Sequence, residues 1–114
     1  MDKIIKNIAP EMVISLEKQV EYLPGQIVSK TLVQNAAVSL TIFAFDKDEE
    51  ISSHESDGDA MVTALDGTGE ITVDGKKYTL QKGETMIMPA HKPHAVYAAE
   101  RFKMILTVIF PKFP

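Results

Sequence analysis

Residues 83–94 run Gly83-Glu84-Thr85-Met86-Ile87-Met88-Pro89-Ala90-His91-Lys92-Pro93-His94. A glycine turn leads into a short apolar segment that Pro89 closes. Pro89 and Pro93 each fix φ and remove a backbone donor, so neither fits inside a central strand. The turn between them is therefore stiff. It presents two of the chain's three histidines, His91 and His94, and a rigid loop beside a sheet is a common place for imidazoles that bind or catalyse.

Working back from this stretch, the clearest local signal is a hairpin. Glu70-Ile71-Thr72-Val73 and Lys77-Tyr78-Thr79-Leu80 flank Asp74-Gly75. Asp-Gly suits a two-residue type I′ turn, whose central positions both need φ > 0. Ile71 and Val73 share a face, with Tyr78 and Leu80 expected opposite them. Residues 26–34, 38–45, 60–65, 86–88, 95–99 and 102–110 are further apolar or alternating runs, rich in β-branched and aromatic side chains. Asp66-Gly67 closes one of them, Glu100-Arg101 reads as a hairpin turn, and the charged run 46–50 reads as a solvated loop. About eight short strands with no segment of 3.6 periodicity indicate an all-β sandwich or barrel. Residues 1–25 stand apart as an N-terminal arm that holds a helical turn at Ala9-Pro10-Glu11 or edge strands, and residues 111–114 form a tail. The arm either pairs with a sheet edge or crosses to a partner subunit.

The totals narrow the function classes. With 114 residues there is room for one domain with a real core. The net charge of −4, with no Lys/Arg cluster, argues against nucleic acid as a partner. The absence of cysteine excludes a thiolate ligand, a thiol nucleophile and a disulfide framework. No segment has the length and composition of a signal peptide or a membrane span, so no membrane is expected and the cytoplasm is the expected location. No Ser-His-Asp set or phosphate-binding glycine loop is visible. Gly67-Thr68-Gly69 links strands rather than a strand and a helix.

Taken together, residues 26–110 resemble the small single-domain cupins. The resemblance implies a jelly-roll, or double-stranded β-helix, barrel with two short motifs. The second family motif runs Gly, five residues, Pro-x-Gly, two residues, His. Gly83 to Pro89 keeps that spacing, and Pro89 to His94 continues it with His91 in the glycine place. The first motif runs His-x-His, a spacer, Glu, and a closing Gly. Ser53 to Gly67 fits its length, with His54 at the first histidine, Ser56 at the second and Ala60 at the glutamate. By this resemblance two of the four family metal ligands remain, His54 and His94.

Asp59 is the candidate substitute for the missing carboxylate. Two imidazoles and one carboxylate would suit Fe, Mn, Ni or Zn, whereas two imidazoles alone would bind metal weakly. Alternation sets His54, Ser56, Ala60, Val62 and Ala64 on one face and turns Asp59 away, unless Asp57-Gly58 breaks the phase. The plainer role for Asp59 is an exposed acid that hydrogen-bonds the turn. His91 reads as an exposed turn residue. Ser56, Met86 and Met88 are expected to line a pocket, where methionines adapt to varied ligands.

Three readings follow. The first is a small-molecule-binding barrel with a degenerate metal site or none. The second is a metal-dependent enzyme of oxygenase or isomerase type using His54, His94 and Asp59. The third is a non-catalytic regulatory or structural module. The resemblance also implies a homodimer.

Overall fold

The computed structural model describes residues 4–111. Its elements are a 3₁₀ turn (Leu16–Gln19) and seven strands: β1 (Ile27–Gln34), β2 (Val38–Phe45), β3 (Glu50–His54), β4 (Asp59–Val73), β5 (Lys76–Gln81), β6 (Thr85–Met88) and β7 (His94–Ile109). Every strand pairing is antiparallel. No helix among the described residues is long and apolar enough to cross a membrane.

The strand count differs from the sequence reading for one physical reason. Residues 60–65 and 70–73 belong to one strand, β4, and residues 95–99 and 102–109 to another, β7, with Phe110 just beyond its end. Glu100-Arg101 is therefore not a hairpin turn. The turn-forming residues bend the two strands without reversing them. The β4–β7 register slips between Ala64 and Asp66 and again between Gly67 and Gly69, which is how bulges sharpen a bend. Gly67 has φ +72°, and a Cβ there would lie 1.7 Å from the Arg101 carbonyl oxygen. Only glycine fits. The charged run also ends sooner than expected, because Glu50 already pairs with Tyr97 in β3.

The bend divides the sheet into two leaves. The first leaf carries β1, β2, the second half of β7, the first half of β4, and β6. The second carries β3, the first half of β7, the second half of β4, and β5. Inward-facing residues of both leaves share one core. It includes Phe45, Val62, Ile71, Met88, Val96, Phe102 and Met104, all nearly or fully buried. The Phe45 and Phe102 rings, opposite each other across β2 and β7, sit 5.9 Å apart within it. At roughly 1.5–3 kcal/mol for each fully buried large apolar side chain, this core is the main force holding the leaves together. The result is the all-β jelly-roll barrel expected from the sequence.

The Asp74-Gly75 turn has both central φ values positive, at 50° and 81°, as a type I′ turn requires. It sets Val73 opposite Lys76, Ile71 opposite Tyr78 and Gly69 opposite Leu80. Val73 thus faces Lys76, not the tyrosine or leucine expected from the pattern.

The described part of the arm covers the outer face of the first leaf. Val20 packs with Leu32, Val33, Ile42 and Ala44, with Ile8, Leu16 and Tyr22 around them. The Lys6 amide donates to the Leu32 carbonyl at 2.7 Å, so the arm also touches the β1 edge. Pro10-Glu11 forms a turn in place of the expected helical start, with Glu11 at φ 60°.

Candidate functional site

The candidate site lies where the second leaf reaches the rim of the barrel. His94 opens β7 directly after Pro93, and the proline ends the preceding turn and sets the direction of the strand. Backbone pairing places His54 opposite His94. That pairing depends on an irregularity. Ile51 pairs with Val96 and faces the core, and two residues lie between Ile51 and His54 while only one lies between His94 and Val96. Simple alternation from Ile51 would turn His54 outward. The extra residue returns it to the inner face, a known use of bulges.

The two imidazoles meet edge to face, with ring centroids 4.3 Å apart and planes at 65°. Each Nδ1 lies beside a backbone carbonyl, that of Ser52 for His54 at 3.0 Å and that of Lys92 for His94 at 3.2 Å. A carbonyl oxygen only accepts, so each Nδ1 carries the hydrogen and donates it. The tautomer is thereby set, and both Nε2 atoms keep their lone pairs. His54 is exposed, whereas His94 is 4% exposed. Burial pushes the His94 imidazole below its usual pKa. The Lys92 carbonyl opposes this, and the neighbouring His54 adds to it.

The remaining sequence candidates fall in different places. Met88 is buried opposite Ala60, and Met86, half-buried, lies opposite Val62, so both face the core from β6. Ser56 uses its hydroxyl locally, where it accepts from the Gly58 amide at 3.1 Å. Its carbonyl accepts from the His91 amide at 2.8 Å. His91 is exposed at φ 66°, which explains why it can hold the place where glycine is easier.

Asp59 does not join the two histidines. It starts β4 one residue before buried Ala60, so its side chain leaves the opposite face of the strand. Its Oδ1 accepts from the Ala90 amide at 2.8 Å and braces the Pro89–Lys92 turn. With Asp57, His91 and Phe110 it lines a cleft of about 440 Å³ on the outside. Among the described residues there is no group of three or more His, Cys, Asp or Glu side chains that could hold a metal ion. The donor set at His54 and His94 does not make up a metal centre of the three- or four-ligand kind.

The pattern reading missed Lys76, and it set Tyr78 opposite Ile71 and Val73 without joining it to the site. The ladder continues from His54 and His94 through Val73 to Lys76, and the next row runs Ile51, Val96, Ile71, Tyr78. Lys76 and Tyr78 therefore share the inner side of the second leaf with the histidines. The Lys76 ammonium lies 5.5 Å from the centre of the Tyr78 ring. The two-residue turn was the available signal, since it dictates that Val73 faces Lys76.

Comparisons with known proteins agree with this geometry. The family model for the cupin domain matches residues 41–110. A conserved protein of unknown function from Streptococcus pyogenes is 44% identical, with 98% of each chain covered and a TM-score of 0.96. A cupin superfamily protein from Desulfitobacterium hafniense is 32% identical over 94% of this chain and 98% of that one, with a TM-score of 0.89. A cupin 2 conserved barrel domain protein from Leptotrichia buccalis is 45% identical, covering 84% of this chain and 47% of that one, with a TM-score of 0.82. No curated protein matches the chain. The bent two-leaf barrel, the Gly83–His94 motif on its rim and the match over residues 41–110 lead to one conclusion: the chain belongs to the cupin family.

Proposed function

We propose that this cupin binds a small molecule at the barrel mouth and uses His54 and His94 as a hydrogen-bonding pair, with no resident metal. One observation carries the reading. Both Nδ1–H groups are committed to backbone carbonyls, so two Nε2 acceptors remain, and the site lacks a third ligand that would turn them into a metal centre. A ligand hydroxyl or amide can donate to this pair. The inner side around it is mainly apolar, as small-molecule sites usually are. Exposed Ile4, Ile5, Met12 and Val13 on the arm support a homodimer as part of the same reading, because large apolar side chains gathered on one segment favour a covering partner.

The experiment has two arms. Elemental analysis of untagged protein is expected to find Fe, Mn, Ni and Zn far below one equivalent. Histidine ¹⁵N spectra are expected to show both rings as the Nδ1–H tautomer, with Nε2 responding to added hydroxylated small molecules. Near-stoichiometric metal that is lost in His54→Ala and His94→Ala would overturn the reading.

A further inference from the structure

The inner faces of the barrel are not electrically neutral. The strand carboxylates with a register partner, Glu50, Asp59, Asp66 and Glu70, all occupy outward positions, opposite Tyr97, Ile109, Lys103 and Tyr97 respectively, and Glu100 sits exposed and unpaired at the β7 bend. Lys30, Lys77 and Lys103 also face outward, opposite Ile42, Thr72 and Asp66. Lys76 is the exception. It sits on the same face as Val73, which belongs to the core, and one strand further on is His94. Among the strand residues that have a register partner it is the one inward position with an ionic side chain, exposed at the barrel mouth, and it forms no ion pair there. Its ammonium is held only by the face of Tyr78.

We propose that the mouth selects an organic anion: a carboxylate that pairs with Lys76, an apolar body that lies over the second leaf, and a hydrogen-bond donor that reaches the Nε2 atoms of His54 and His94. This rests on the proposed binding role of the mouth and adds the ligand's charge and polarity. An unpaired cation beside a mainly apolar surface favours an anionic ligand and disfavours a cationic one; Lys76 is exposed in the free protein, so the pairing strengthens only as the ligand covers it. The spacing sets the size. Four neighbouring strands hold His54, His94, Val73 and Lys76, so the two ends of the row lie about 14 Å apart along the backbone, at about 4.8 Å per strand. The lysine and histidine side chains take up part of that span, and a ligand of about six carbons bridges the rest.

The test uses 6-hydroxyhexanoate, its neutral analogue 6-hydroxyhexanamide and the cationic 6-amino-1-hexanol, titrated into the full-length protein. Binding is read from the amide resonances of Val73, Lys76 and His94. The carboxylate is expected to bind at least tenfold more tightly than the amide, and the amine not at all. Lys76→Met should remove the tenfold preference and Lys76→Arg should keep it. Lys77→Met, on the outer face, should leave it unchanged. Equal binding of acid and amide, with shifts at His94, would overturn the anion proposal and leave the mouth as a binding site. A preference that survives Lys76→Met would also overturn it. Failure of all three probes to bind would sink both the proposal and the binding role on which it rests.

Discussion

His54 and His94 stand directly opposite each other across β3 and β7, with their rings 4.3 Å apart. A pair this close does not readily accept two protons. Burial already holds the His94 imidazole below its ordinary pKa of 6.5. The sign of the stability effect follows. The unfolded chain takes up this proton before the folded chain does, so stability is full above the unfolded value and is lost as pH falls through the folded one. Urea unfolding of the metal-free protein should show lower stability at pH 5 than at pH 7.5. In His94→Leu, which keeps the volume and removes the titrating group, that difference should shrink. An unchanged pH dependence in the variant would assign the effect to other groups.

The bend in β4 and β7 allows a sharp comparison between two glycines that both have positive φ. A Cβ at Gly75 would meet open space, whereas one at Gly67 would collide with the Arg101 carbonyl. Gly75→Ala should therefore cost about 1–2 kcal/mol, the strain of a left-handed residue alone. Gly67→Ala should cost more than that, because β4 and β7 must part at the bend for the methyl group to fit. Parallel denaturant titrations of the two variants check this. Equal losses would show that the bend tolerates the added atom.

The same bend marks the limit of what the sequence made legible. The barrel class, the Asp74-Gly75 hairpin, the inward methionines of β6 and the rim position of His94 could be read from alternation, turn chemistry and motif spacing. Asp66-Gly67 and Glu100-Arg101 misled because a turn dipeptide specifies a local change of direction, and tertiary pairing decides whether that becomes a reversal or a bulge. Motif position pairs His54 with His94, and the two rings do meet, but the bulge after Ile51 that aims His54 inward has no signature in a string of Ser52-Ser53. Lys76 was overlooked because a lysine beside a turn is ordinarily solvated. Its inward position emerges only from counting register through the hairpin.

Tyr22 ties the arm to the barrel at that bend. Its hydroxyl donates to Asp66 Oδ2 at 2.5 Å, and the charged ends of Arg101 and Lys103 lie 5.3 Å and 4.9 Å from its ring centre. Burial and the Asp66 carboxylate push the phenol well above its usual pKa. A raised pKa gives stability that is present below the unfolded value near 10 and lost as pH rises toward the folded one. Tyr22→Phe should lose about 1.5–3 kcal/mol at neutral pH, the usual range for a hydrogen bond to a charged group. Amide exchange should quicken in residues 16–25 more than in β4. The variant should also lack the wild type's alkaline loss of stability, and a matching loss in both proteins would exclude Tyr22 as its source.

The two imidazoles also make a quantitative statement about metals. Two neutral nitrogen donors without a carboxylate hold a divalent ion weakly, and affinity rises as ligands are added in the right geometry. Ser56 occupies the place where the cupin motif carries its second histidine. Its hydroxyl serves only the Gly58 amide, so replacing it sacrifices about 1 kcal/mol of local stability. Ser56→His should raise affinity for Ni²⁺ or Zn²⁺ at least tenfold over the wild type in calorimetric titrations of untagged protein. Adding His94→Ala should abolish the gain, which separates binding at the mouth from binding by His91 on the outer surface. No gain in Ser56→His would mean that the chain after His54 has turned away from the pair. The missing ligands would then reflect a changed backbone path as well as changed residues.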